Sequence, residues 1–151
     1  MADQVLNIIV TDKEGIIKLK ETMGKTMDFN KIIPQPPHLY HGHLTEEDKR
    51  DFPLNWRTWC NTNWGTKWNA FEALWTEFRD EFYVAFLTAS GPPMPVIVAI
   101  ANIEINFTHY FILISHNYET YKEVWWDRVR VSTEEITYED LPNGVQKAIE
   151  V

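Results

Sequence analysis

The side chains with chemistry of their own are Cys60, the histidines His38, His41, His43, His109 and His116, Ser90, and the adjacent carboxylates Glu46/Glu47 and Glu134/Glu135. A thiol attacks only as thiolate, and Arg57 and Lys67 near Cys60 in sequence would favour that form. Set among indoles, Cys60 reads more simply as a small buried hydrophobe. Three histidines within six positions offer metal-ligating nitrogens, but Gly42 leaves their geometry open and no cysteine stands near them, so no metal is expected. Ser90-Gly91 would need oxyanion-binding amides where Pro92 and Pro93 stand. His109 and His116 lie seven residues apart, on opposite faces of a strand. Adjacent carboxylates diverge in helix and strand alike. Neither GxGxxG nor GxxxxGK[ST] occurs, which removes the usual phosphate-cradling loops. No catalytic set and no cofactor is expected, and binding is the activity left.

The densest binding chemistry is the stretch WRTWCNTNWGTKWNA, Trp56 to Ala70, which holds four of the seven tryptophans. The candidate ligand- or partner-binding residues are Trp56, Trp59, Asn61, Asn63, Trp64, Trp68 and Asn69. One indole buries roughly 150–250 Å² and needs a partner for its N–H when enclosed. Complete burial is worth about 4–6 kcal/mol at ~25 cal/mol per Å², before conformational entropy is counted. The stretch therefore reads as an aromatic keystone that pins an irregular insertion onto a small domain. The alternative is a small-ligand or nucleotide-binding pocket, with a nucleotide held between Trp64, Trp68 and the Asn side chains.

A chain of 151 residues is one domain's worth and can bury a core without staples. With 44% hydrophobic and 24% charged residues it is not disordered, and one cysteine excludes an internal disulfide. The start MADQVLNIIV has no basic leader with a long apolar run, and Val96–Ala101 is far too short to span a bilayer. A soluble, cytoplasmic protein is expected. The net charge of −8 is lopsided: residues 1–75 carry nine Lys/Arg against ten Asp/Glu, residues 76–151 five against twelve. Duplex binding relies on a basic face, so the second half has the wrong sign for it. An acidic half suits a basic patch on a protein partner, or solvation alone.

Val5–Val10 alternates like a strand, and Thr11-Asp12-Lys13-Glu14 reads as a capping box with Thr11 as cap, opening a helix to about Met23 that Gly24 ends. Asp28–Pro37 reads as an extended connector because of its prolines, and Thr45 caps a polar turn. Asn69–Phe78 and Phe82–Ala89 flank the turn Arg79-Asp80-Glu81 as a hairpin whose second arm is apolar on both sides. Pro95 opens a helix over about Val96–Glu104, Phe107–Ser115 is a strand, and Glu123–Val131 reads as one more strand at an edge. A short helix follows Pro142 in the acidic tail. The order β-α-insertion-β-β-α-β plus a strand predicts an α+β domain of the ferredoxin-like split βαβ plan, with two helices on one face of an antiparallel sheet. The single domain spans residues 1–151, with the insertion over about 25–68 and an acidic extension over about 117–151.

Three phrases occur in order: Asp28-Phe29-Asn30-Lys31-Ile32-Ile33-Pro34, Asn63-Trp64-Gly65-Thr66-Lys67-Trp68-Asn69-Ala70, and Thr88-Ala89-Ser90-Gly91-Pro92-Pro93. Together they resemble the YubB-type ferredoxin-like domain family, small proteins of tailed phages and plasmids. The eight-residue Trp phrase is the specific one. The family's usual Pro-Asn-Trp-Cys start is replaced here by Ala2-Asp3-Gln4-Val5, and its Trp in the third phrase is absent. The resemblance implies the ferredoxin-like fold and a mobile-element origin, and it implies no reaction. The expected role is a non-enzymatic phage or plasmid accessory protein that binds a host protein, such as an inhibitor of a host defence system, in the host cytoplasm.

Overall fold

The computed structural model describes residues 3–150, with side chains through Gln146. Met1, Ala2 and Val151, the ends of the expected domain, lie outside the described residues. Six strands and five α-helices are present among the described residues. The strands are β1 (Gln4–Thr11), β2 (Phe71–Phe78), β3 (Glu81–Ala89), β4 (Phe107–Leu113), β5 (Glu119–Trp126) and β6 (Val129–Ile136). They form one sheet in the order β2-β3-β1-β4-β5-β6, and every neighbouring pair is antiparallel. The helices are α1 (Lys13–Met23), α2 (Glu46–Asp51), α3 (Trp56–Asn63), α4 (Met94–Ala101) and α5 (Asn143–Glu150).

On one side of the sheet, Ile9, Val84, Phe86, Phe107 and Trp125 share a core with Leu19 and Met23 of α1 and with Val96, Ile97 and Ile100 of α4. Alternation along each strand sends the intervening residues the other way, where Ile8, Tyr83, Ala85, Tyr110 and Ile112 form a second core with Leu141 and Val145. That second layer corrects the expectation of helices on one face only. The C-terminal segment crosses back over β3, and a Cβ at Gly144 would lie 2.0 Å from the Tyr83 hydroxyl, so glycine is what lets α5 approach the strand so closely.

Several local readings need correction as well. Asp12, not Thr11, caps α1 by accepting from the Gly15 amide at 2.8 Å. The Thr11 hydroxyl instead donates to the Asn106 carbonyl at 2.8 Å, tying β1 to the start of β4. The segment read as an extended connector contains a 3-10 turn, Phe29–Lys31, capped by Asp28. The single edge strand expected over Glu123–Val131 is two strands joined by a tight turn. Asp127 and Arg128 take φ of 51° and 70° there, a left-handed pair that hairpin turns require and that neither residue type announces. The insertion, finally, contains α3, which the sequence reading did not place.

Candidate functional site

Asn55 starts α3: its Oδ1 accepts from the Thr58 amide at 2.9 Å while its Nδ2 donates to the Phe52 carbonyl at 2.8 Å. From this short helix the indoles diverge. Trp64 is fully enclosed, donates from Nε1 to the Ile33 carbonyl at 2.9 Å, and meets Phe29 and Trp59 edge-on at centroid separations of 5.7 and 5.1 Å. Trp56 donates to the Gly42 carbonyl at 2.9 Å, which holds the histidine-bearing loop against α3. Asn63 donates back to the Trp59 carbonyl at 3.0 Å. Asn61 is exposed, and so is Trp68, at 40% of its surface.

Beyond α3 the chain is fastened to the sheet layer. Gly65 takes φ +77° with its backbone against Pro92 and Pro95, where a Cβ would lie 2.9 Å from Pro95 Cδ. The Lys67 amide donates to the Ala89 carbonyl at 3.0 Å. Asn69 closes the insertion: its Oδ1 accepts from the amides of Phe29 at 2.9 Å and Ala70 at 2.8 Å, and its Nδ2 donates to Asp28 Oδ1 at 2.8 Å. One amide side chain thus joins the first and second of the recurring phrases, 41 residues apart.

A cleft of about 270 Å³ opens between these parts, lined by Trp56, Trp64, Trp68 and Asn69 together with Asn30, Gln35, His41 and Cys60. Trp59, Asn61 and Asn63 do not line it. Asn30 and Gln35 were missed in sequence because nothing in a proline-rich connector marks a residue 25 positions from Cys60 as its neighbour. Burial pushes the Cys60 thiol up, and the Gln35 Nε2 contact at 3.4 Å opposes this only in part, so the nucleophilic thiolate is disfavoured. His38, His41 and His43 are exposed, and among the described residues no group of three or more His, Cys, Asp or Glu side chains is placed to hold a metal ion.

A second feature lies under the sheet, unforeseen from sequence. Five strands contribute one side chain each to a row running Thr88, Asn7, His109, Glu123, Arg130. Thr88 donates its hydroxyl to the Gly91 carbonyl at 2.7 Å and accepts from Asn7 Nδ2 at 2.9 Å. Asn7 must therefore present Oδ1 to His109 Nε2, at 2.9 Å, and that nitrogen donates. His109 Nδ1 faces Glu123 Oε1 at 2.9 Å, and Glu123 Oε2 accepts from Arg130 at 2.8 Å. With Nε2 donating, a hydrogen bond across the 2.9 Å His109–Glu123 contact needs one further proton, on Nδ1 or on the carboxyl, so the two groups titrate as a pair. Burial pushes the His109 ring down, with Glu123 pulling the other way. Burial also opposes ionisation of Glu123, yet His109 and Arg130 outweigh it and hold the carboxyl below its ordinary value. Only Arg130 reaches solvent, so the row is a structural girder with no opening for a substrate.

The third feature is the outer edge. Seven of the eight residues of β6 are exposed, including Val129 at 56% and Val131 at 55%, and Trp126 beside them is 60% exposed. As the last strand of the sheet, β6 has no strand on its outer side among the described residues.

No family model matches this sequence, and no curated protein matches it. Among solved structures the chain is similar to the crystal structure of a protein api92 from Yersinia pseudotuberculosis, of the DUF1281 family model, at 17% identity and a TM-score of 0.53. The match covers 74% of this chain and 40% of the other, so the chain spans less than half of that neighbour's length. At this identity the likeness concerns the fold alone: a mixed α+β domain on an antiparallel sheet.

Proposed function

We propose that this chain is a non-enzymatic recognition module of a phage or plasmid accessory protein, which binds a basic segment of a host protein along β6. The observation that carries the reading is the bare edge: an eight-residue strand, nearly all exposed, with Val129 and Val131 on it and the exposed Trp126 at the end of β5 beside it. Such an edge is a template for strand addition; β6 carries no proline and no strand covers it among the described residues, and of its charges only Arg130 turns inward, to Glu123. Glu134 and Glu135 lie on β6, and Glu139 and Asp140 follow it, so an added strand carrying Lys or Arg would be favoured and steered. The origin rests on the resemblance to the YubB-type family. The split βαβ plan that this resemblance implies belongs to the same proposal; the strand order β2-β3-β1-β4, with α1 and α4 between strands and the β5–β6 hairpin beyond, supports it. Action on a host defence system, in the host cytoplasm, belongs to the same proposal.

The test is affinity capture from host lysate at physiological salt, with the wild-type chain beside the double variant Glu134→Lys/Glu135→Lys. The expected result is a partner retained by the wild type and lost by the variant, with retention falling as salt rises. Recovery of nothing, or equal recovery by both chains, would overturn the reading.

A further inference from the structure

The cleft under the insertion carries chemistry that edge recognition does not use. Asn30 Oδ1 accepts from the Gln35 amide at 3.0 Å, which orients the side chain and leaves its Nδ2 without a hydrogen-bond partner among the described residues. Gln35 Nε2 is engaged by Cys60 Sγ, so Gln35 Oε1 is likewise left as a free acceptor. The two side chains that carry this amide donor and this amide acceptor line the same cleft as three indoles. That combination complements a flat heteroaromatic ring whose edge sets an acceptor beside a donor, as the ring nitrogen and exocyclic amine of adenine do.

Size and charge narrow the ligand further. Drug-sized ligands occupy pockets of about 300–1,000 Å³. A cleft of about 270 Å³ takes one fused ring system, with any sugar left outside. Trp68 keeps accessible ring surface, and Lys67 Nζ stands 5.0 Å from its centroid. Behind Asn69 sits the Asp28 carboxylate, which opposes a phosphate there.

We propose that the cleft binds an uncharged purine base or nucleoside, with Trp68 stacking on the ring and Asn30 and Gln35 reading its edge. The site is separate from β6, so this proposal and the edge reading stand or fall independently.

Adenosine titrated into the full chain, followed by indole fluorescence and by calorimetry, tests it. Saturable quenching with matching heat is expected, with a Kd below about 1 mM. Trp68→Ala should weaken binding about tenfold or more through loss of stacking, and Gln35→Leu about tenfold through loss of the acceptor. Neither residue belongs to the buried core, so both variants should retain the fold, which circular dichroism checks. No saturation by adenosine in either readout, binding by AMP without binding by adenosine, equal binding by ribose 5-phosphate, or wild-type affinity in both variants would each overturn the proposal.

Discussion

Asn69 shows how much one side chain decides. It satisfies two backbone amides and one carboxylate at the point where the insertion returns to the sheet. Removing it leaves the Phe29 amide unpaired beside the core, at a cost of about 1–3 kcal/mol. Asn69→Ala should therefore lower the urea midpoint measurably, while Asn61→Ala, on an exposed residue of the same stretch, should change it by less than about 0.5 kcal/mol. Equal effects would show that the amides do not lock the insertion. The buried row makes a second prediction. Glu123 is held below its ordinary value of 4.5, so it contributes stability that is fully present above that pH and is lost as pH falls through its folded value. Urea midpoints of the wild type should decline below about pH 4.5 more steeply than those of Glu123→Gln, which has no carboxyl to titrate. The variant should be the less stable of the two at pH 7.

At the level of elements, the hairpins are closed by residues that sit poorly in their turns. Arg79 and Asp80 take φ of 51° and 66°, a left-handed pair for which Asn-Gly is the natural choice. Arg79→Asn/Asp80→Gly should stabilise the protein by about 1 kcal/mol, read as a rise in thermal midpoint. The turn Asp127-Arg128 has the same conformation, and here Arg128 also reaches Glu104 across the end of the sheet. Because the turn has neither glycine nor proline, the alternation of Trp125, Val129 and Val131 in the sequence runs straight through the hairpin. Helix α5 offers the opposite case, a contact that only glycine allows. Gly144→Val should place a side chain into the Tyr83 ring and cost about 1–3 kcal/mol by overpacking, with exposure of the second core. Increased dye binding by that variant at neutral pH would report the exposure, and none is expected from Gly42→Ala in the outer loop, where only the Tyr40 ring stands in the way.

For the molecule as a whole, the two sides of the sheet are covered differently. One carries α1, α4 and the insertion; the other is covered in its middle, among the described residues, by the C-terminal segment. Beyond that cover, Leu6, Ile112, Ile114, Tyr118 and Tyr138 line an apolar groove. Burial pushes Tyr110, on the same face, up to about 12, with Glu81 and Glu134 adding to the rise. The insertion behaves as part of the domain because Phe29, Cys60 and Trp64 share the core of the α1–α4 layer. Unfolding by urea should accordingly show one transition whether followed by indole fluorescence or by circular dichroism. A separate early transition in fluorescence would mean that the insertion melts on its own.

The strands through β4, the helices α1 and α4, the Thr45 cap and the helix after Pro142 were legible in sequence, because each is marked by local periodicity or by a cap, a glycine or a proline, whereas the polar turn expected after Thr45 is the helix α2. Within the Trp phrase the structure encloses Trp64 fully and leaves Trp68 exposed, a difference that the shared residue type does not mark. The cleft and the buried row were not legible. Asn30 and Gln35 meet the tryptophans, and Asn7 meets His109 across 102 positions of sequence, only because the chain crosses the sheet and returns. The second hairpin was hidden for a different reason, since a left-handed turn built from Asp and Arg is held by its flanking strands and not by its own propensity. Local backbone preference is written in neighbouring residues, whereas the partner of a buried polar atom is chosen by packing between distant ones, and that choice belongs to the tertiary structure.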